Sequence, residues 1–326
     1  MAASRSSKRR QRFDDDGWEP SPDHLTPATS ASPDEHDEHD DPGDPDDPDE
    51  HDEHDEPDEP TWSTYRDATR GPEPVPRWVV TDPRAIDVDH GVLKTGKEAD
   101  VSLLERFVPD TDPTPSPDHD PARPASHGWL AVKRYRSAEH RMFHRDSGYL
   151  EGRRVRKSRE MRAMRTRTDF GRELIAGQWA AAEFAVLARL WQAGASVPYP
   201  VQLIGTELMM EFVGHDGVAA PRLAQLRPEP TEASDLYGQM REVLRQLADA
   251  GYAHGDLSPY NTLVHDGRIV LIDLPQAVDL VGNPQGFAYL RRDCENVCSW
   301  FASHGAPHAD AWELEQYLLR SVPGLG

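Results

Sequence analysis

Apolar and polar positions along this chain switch between two periods. Over residues 78–107 short apolar runs of strand character recur, Val79-Val80, Ile86-Asp-Val88 and Val101-Ser-Leu-Leu104, with a polar turn over 91–100 between the last two. Trp129-Leu-Ala-Val-Lys133-Arg-Tyr135 resumes the strand and puts Lys133 on one face with Ala131 and Tyr135. The period then lengthens. Ile175, Trp179, Ala182, Val186, Leu190 and Trp191 mark one face of a helix from about 172 to 192. A strand pair over 201–204 and 208–213 follows, and Leu236, Met240, Val243, Leu244 and Leu247 give a second amphipathic helix over 234–250. A polar loop, a β-branched run at 268–272 and two helical regions, 287–303 and 310–321, complete the pattern. Strands first and helices later predict an α+β fold in two lobes, a small sheet with one helix over 76–213 and a mainly helical lobe over 214–326.

The first 75 residues show neither period, and composition says why. Residues 34–59 hold 17 Asp or Glu, no Lys or Arg, and four His in Asp-Glu-His units, so this stretch supplies −17 of the net −22 and the rest of the chain −5. Such a run cannot bury enough apolar surface to offset the ordering of its backbone, and a disordered, solvated acidic tail is expected over 1–75. Residues 109–127, rich in Pro, Asp and Ser, read as a loop inserted between two strands. Residues 153–172 carry nine Lys or Arg against two acids, a local +7 that would suit RNA phosphates or dock the acidic tail, with a solvated helical surface as the plain alternative. Cys294 and Cys298 are four apart on an expected helix, poor geometry for a mutual disulfide, which points to a reducing, cytoplasmic compartment. No apolar run approaches the roughly 20 residues of a membrane span, and the first residues lack the apolar core of a signal peptide.

The chemistry gathers after residue 250. Asp256 and Asn261 stand five apart on one loop, His254-Gly-Asp-Leu-Ser-Pro-Tyr-Asn261, and Asp273 ends the apolar run that follows. Phosphoryl transfer from a nucleotide needs this set: a carboxylate to accept the proton of the attacking hydroxyl, and an amide oxygen and second carboxylate to hold hard Mg²⁺. Asp-x4-Asn alone is also what a polar turn before a strand produces; His254, Gly255, Leu257 and the strand-ending Ile-Asp tip the reading toward chemistry. Lys133 would contact the nucleotide phosphates, or else snorkel at a sheet edge. Glu183 lies on the apolar stripe of its helix, where a carboxylate is costly unless paired, and a Lys133–Glu183 ion pair answers both. Gly91-Val-Leu-Lys-Thr95-Gly96-Lys97-Glu nearly spells a P-loop but fails at Glu98, where a hydroxyl belongs, and continues into a strand; a glycine-bearing hairpin closing over phosphates fits better. Backbone groups of Glu211 and Val213, where the chain crosses between lobes, would suit an adenine edge.

With these pieces placed, residues 78–305 resemble the RIO family of atypical serine/threonine protein kinases, nearest its first subfamily. The motifs are Thr95-Gly-Lys-Glu-Ala99, Ala131-Val-Lys133, Trp179-x3-Glu183, Met210-Glu-Phe-Val-Gly214, His254 to Asn261, Ile272-Asp-Leu-Pro-Gln276 and Arg292-Asp-Cys-x-Asn296. The resemblance implies a reduced bilobal kinase fold and transfer of phosphate from ATP to serine or threonine with Mg²⁺, or Mn²⁺ in its place. Lys133 then contacts ATP, Asp256 accepts the proton, Asn261 and Asp273 hold the metal, and Asp273 is implicated as a phospho-acceptor in an ATPase cycle. Gly255 takes the place of an arginine that clamps a phosphorylated activation loop in many regulated kinases, and only 53 residues follow Asp273, which leaves no room for that loop and a full peptide-docking subdomain. Lys94 departs from the small hydroxyl residue usual for this subfamily.

The resemblance permits two roles, a protein kinase that also phosphorylates itself, and an ATPase switch that acts as an assembly factor on a pre-ribosomal particle through the basic segment 153–172. A third reading, a small-molecule kinase of the aminoglycoside or choline type, shares the His-Gly-Asp-x4-Asn loop. Thr95 to Ala99, Gln276 and the short C-terminal part count against it.

Overall fold

The structure, a computed structural model, describes residues 60–96, 98–109, 125–136 and 169–324. Seven strands form one antiparallel sheet: β1 (Thr61–Trp62), β2 (Thr69–Arg70), β3 (Ile86–Thr95), β4 (Ala99–Phe107), β5 (His127–Tyr135), β6 (Pro200–Ile204) and β7 (Glu207–Glu211), in the order β1-β3-β4-β5-β7-β6-β2. Helix α1 (Asp169–Gln192) packs across β5, β6 and β7. The alternating pattern sends Leu104, Leu130, Val132, Val201 and Met209 into one cluster, which Tyr65 and Tyr199 close.

Three expectations need correction. Residues 60–75 are not part of a tail, because β1 and β2 pair with β3 and β6 at the two sheet edges. What orders this stretch is a polar network: Arg106, 1% exposed, grips Asp87 through two bonds of 2.7 and 2.8 Å and Gln202 at 2.9 Å, and Gln202 donates to Thr64 Oγ1 at 2.8 Å. A buried guanidinium needs that many partners. Val79 and Val80 are buried yet form no strand, since prolines at 72, 74, 76 and 83 remove ladder donors around them. Gly91 opens no turn. It sits within β3 at φ +89 beside the register shifts between Asp89 and Lys94, a bulge only a residue free to adopt positive φ accommodates easily. β3 runs on to Thr95 and β4 begins at Ala99. Residues 1–59, positions 110–124 of the insertion expected over 109–127 and the basic segment up to 168 lie outside the described residues; His127, expected in the insertion, already begins β5.

Beyond β7 the chain runs through the small hairpin β8 (Gly214–His215) and β9 (Val218–Ala219) into α2 (Pro230–Asp249), β10 (Tyr252–Ala253), β11 (Thr262–His265), β12 (Arg268–Leu271), β13 (Val278–Asp279), α3 (Gly286–Ser303) and α4 (Ala311–Leu319). Pro230 starts α2, where its missing N–H costs nothing, and the Asp310 carboxylate caps α4 by accepting the Glu313 N–H at 2.8 Å. The predicted face of α2 is buried, and it shares one core with Leu290, Val297 and Phe301 of α3 and Leu314 and Leu318 of α4. Phe184, Leu187 and Leu190 of α1 belong to that same core, so α1 is packed to both lobes and carries Glu183 between them. Cys294 and Cys298 are buried, free thiols. The result is a two-lobed α+β arrangement, a sheet with α1 followed by a mainly helical lobe. No helix among the described residues is long and apolar enough to cross a membrane.

Candidate active site

Lys133 projects from β5 into the space between the lobes and is almost fully buried. Its ammonium lies 3.1 and 3.0 Å from the two oxygens of Glu183 and 2.7 Å from Asp273 Oδ1. The partner inferred from the apolar stripe of α1 is therefore the partner found. Tyr135, two residues along the same strand, donates its hydroxyl to Glu183 Oε2, and the Leu274 N–H donates to Oε1 at 3.0 Å. Burial alone would lower the lysine, but Asp273 and Glu183 outweigh it and hold the ammonium above its ordinary value. Burial pushes Asp273 up and the Lys133 charge and hydrogen bond push it down, with Lys94 and His254 adding to the downward side; the carboxyl ends below its ordinary value. Burial and Glu183 together raise Tyr135, which stays a neutral donor.

Asp273 follows β12 at φ +65, a left-handed conformation that an aspartate tolerates better than most side chains and that turns the carboxylate out of the strand. Such a residue at a strand end is held by its surroundings. One step back, the Ile272 N–H donates to the Asn261 carbonyl at 3.0 Å, and Asn261 Nδ2 donates to the Asp256 carbonyl at 2.9 Å. A continuous bonded path therefore joins Asp256, Asn261, Asp273, Lys133 and Glu183. Asn261 is buried and gives an amide hydrogen to the loop, which leaves its Oδ1 as an acceptor. Asp273 spends Oδ1 on Lys133 and is 38% exposed at the side chain. One amide oxygen and one carboxylate, with room for water, is the donor set a hard Mg²⁺ takes. Asp256 is exposed.

The loop is held from beneath by residues whose roles the sequence did not reveal. Asp293 of α3, 1% exposed, accepts the Gly255 N–H at 2.9 Å and the Leu257 N–H at 3.1 Å. Burial raises its carboxyl against the opposing pull of His254 and those two N–H groups. Arg292 donates to the Gly255 carbonyl, and Asn296 to the Leu257 carbonyl at 3.1 Å. His254 is fully buried with Nε2 3.1 Å from the Ile272 carbonyl, and its Nδ1 has no partner. The signal for all of this was the Arg292-Asp-Cys-x-Asn296 spacing, which puts three polar side chains on neighbouring turns of one helix.

Thr95 and Gly96 lie at the end of β3, where the Gly96 N–H closes the hairpin on the Ala99 carbonyl at 3.0 Å; Lys97 is outside the described residues. Lys94 is the β3 residue whose charge reaches Asp273. Glu211 ends β7 with its N–H on the Tyr199 carbonyl at 2.9 Å and its carboxylate on the Tyr199 N–H at 3.1 Å. Burial lifts that carboxyl above its usual range. The Val213 carbonyl takes the Ala220 N–H at 3.0 Å.

A family model described as "RIO domain" matches residues 123–314, more than half of the chain. Over 140 residues the chain is 43% identical to the RIO-type serine/threonine-protein kinase Rio1 of Haloferax volcanii, covering 43% of this chain and 47% of that one. It is 38% identical over 148 residues to the serine/threonine-protein kinase RIO3 of Homo sapiens, covering 45% and 28%. The aligned stretch spans less than half the length of either relative. A crystal structure of the Rio2 kinase from Chaetomium thermophilum overlaps 80% of this chain and 69% of its own at 18% identity and a TM-score of 0.46. With the family model covering Lys133, Glu183, Asp256, Asn261 and Asp273, this chain belongs to the RIO domain family.

Proposed function

We propose that the chain is an ATP- and Mg²⁺-dependent serine/threonine protein kinase of the RIO type that also phosphorylates itself. The observation that carries this reading is the Lys133 ammonium seated between Glu183 and Asp273, with Asn261 bonded to the residue before Asp273. Glu183 holds Lys133 where the phosphates of a nucleotide in the cleft would meet it. Asn261 and Asp273 would hold Mg²⁺, which supplies charge neutralisation on the transferred group. Asp256 accepts the proton of the attacking hydroxyl and orients it. Thr95, Gly96 and Lys97 would cover the phosphates, and the backbones of Glu211 and Val213 the adenine. Membership of the RIO family sets aside the small-molecule kinase reading. A second role draws support from Asp273 itself. It is ionised, partly exposed and beside a lysine, so its carboxylate would serve as the nucleophile in an ATPase cycle, with assembly of a pre-ribosomal particle in the cytoplasm as the use of that cycle.

Incubating the purified protein with γ-labelled ATP and Mg²⁺ tests both. Acid-stable label on Ser or Thr is expected, cut about 10²- to 10⁴-fold by Asp256→Ala with nucleotide binding retained. Hydroxylamine-labile label on the chain alone would favour the ATPase role. Wild-type labelling by the Asp256→Ala protein would remove Asp256 from the chemistry.

A further inference from the structure

Two hairpins of the same design meet below the crossing between the lobes. The β8–β9 turn is Asp216-Gly217 with φ +48 and +74, and the β11–β12 turn is Asp266-Gly267 with φ +50 and +72. Consecutive positive φ values are what a two-residue hairpin turn requires to match strand twist, and Asp-Gly supplies them at low cost. Each turn is preceded by a histidine, so the tripeptide His-Asp-Gly occurs twice, at 215–217 and 265–267. The two rings face each other with centroids 4.5 Å apart. His265 Nε2 lies 3.0 Å from His215 Nε2, which lies 3.1 Å from Asp266 Oδ1; the second oxygen of Asp266 is 3.9 Å from His265 Nε2.

Hydrogen counting shows what this cluster lacks. His215 Nε2 carries at most one hydrogen, yet two lone-pair atoms stand at hydrogen-bond distance from it. One hydrogen cannot point along both directions, and if His265 donates instead, the His215 lone pair faces a carboxylate. A cation at the common centre satisfies all three atoms together. Their spacing suits one: ligand atoms bonded at about 2.0–2.1 Å in a tetrahedron stand about 3.3 Å apart, and the three here all lie within 4.8 Å of one another. Two imidazoles select against Mg²⁺ and Ca²⁺ and toward zinc and its neighbours.

We infer that His215, His265 and Asp266 form a binding site for a borderline divalent transition cation of the zinc class, with solvent completing the coordination. The site is separate from the Asn261–Asp273 pair and stands whether or not the proposed phosphoryl transfer does. Its position gives it a consequence. His215 is two residues past Val213, and β11–β12 is the hairpin whose two ends lead from Asn261 and toward Asp273. A cation at its tip pins that hairpin to the crossing between the lobes.

Cobalt reports on such a site through its visible bands. The full chain, in excess Mg²⁺ to occupy oxygen sites, is titrated with Co²⁺ as wild type, His215→Ala and Asp266→Asn. The Asn variant keeps a residue that tolerates the left-handed turn. Wild type should take up one more equivalent than His215→Ala, with visible absorption that one equivalent of Zn²⁺ abolishes, and Asp266→Asn should bind cobalt at least about tenfold more weakly. Equal uptake and equal spectra for all three proteins would assign the cobalt to the histidines at 36, 39, 51 and 54 or elsewhere, and would overturn the site. Absence of a Zn²⁺-displaceable band in wild type would do the same, leaving an imidazole–carboxylate contact only. If His215→Ala does not fold, the Asp266→Asn comparison decides alone.

Discussion

Replacing Glu183 by Gln isolates the charge of the most heavily bonded carboxylate in the cleft. Three groups converge on Glu183, and two of them are the Lys133 ammonium, 3.1 and 3.0 Å from its two oxygens, and the Leu274 N–H, 3.0 Å from Oε1. The third, the Tyr135 hydroxyl, meets Oε2 and is the one group that can turn from donor to acceptor. A glutamine can keep its oxygen in the Oε1 place and point its amide hydrogens at Tyr135, but its amide nitrogen then stands beside the Lys133 ammonium in the Oε2 place, so the shape survives while the charge and that one contact go. At about 3 Å and an effective dielectric of about 20 the lost attraction is about 5 kcal/mol before compensation. Lys133 keeps Asp273 at 2.7 Å, so its ammonium is not orphaned. The net loss should then fall below the 3–5 kcal/mol of a fully broken buried pair, at about 2–3 kcal/mol.

The functional effect follows from where Lys133 turns. Without the charge on Glu183 it leans wholly on Asp273, the carboxylate a metal needs, and Mg²⁺–nucleotide affinity should fall about tenfold. The assay is a cycle of wild type, Glu183→Gln, Lys133→Met and the double variant, read by urea unfolding and by binding of a fluorescent nucleotide. The reasoning is refuted if the interaction energy between positions 133 and 183 comes out below about 0.5 kcal/mol, the level at which independent sites add.

Asp293→Ala strips the acceptor from two buried N–H groups, at about 1–3 kcal/mol each. The melting temperature should drop, and turnover should drop further than nucleotide affinity because the freed loop carries Asp256; a protein with unchanged melting and turnover would show that Arg292 and Asn296 hold the loop without it. The Lys133–Asp273 pair also fixes a pH window. Asp273 sits below its ordinary 3.8, so its contribution is present above that value and is lost as pH falls through the lower folded-state value. Lys133 sits above its ordinary 10.5, so its contribution is complete below that value and is lost as pH rises through the higher folded-state value. Lys133→Met leaves Asp273 and Glu183 side by side without their cation, so the stability difference from wild type should be largest at neutral pH and shrink as acid neutralises the two carboxyls; a difference that stays constant down to about pH 3 would contradict the pairing.

The pair at 133 and 183 was legible because a carboxylate on an apolar helical stripe is a local anomaly with one economical resolution, and the strand lysine supplied it. Asp256, Asn261 and Asp273 were legible because loop and strand end lie close in sequence. What escaped depends on partners far along the chain. Residues 60–75 look like more of the acidic, proline-rich tract, and only Arg106, Asp87 and Gln202, brought together by the sheet, make Thr64 and Tyr65 worth ordering. The Arg292-Asp-Cys-x-Asn296 spacing marked Asp293, but the groups it bonds are backbone N–H groups 36 and 38 residues away, which that spacing does not identify. The bulge at Gly91 shows as a glycine in either reading, turn or strand, and the sequence alone cannot choose between them.

Gly255 shows how a residue legible by comparison acquires a different meaning in three dimensions. Read against regulated kinases, it marks a missing arginine. In the fold its φ is +84, and an added Cβ would stand 2.4 Å from the Gln276 carbonyl and 3.1 Å from Val278. No side chain fits there, with or without a phosphorylated loop to clamp. The loop is instead held at Gly255 itself, through its N–H by Asp293 and through its carbonyl by Arg292. Both come from one helix of the C-terminal lobe, and neither contact involves a group that phosphorylation would supply. The backbone on both sides of Asp256 is therefore held by the packing of α3.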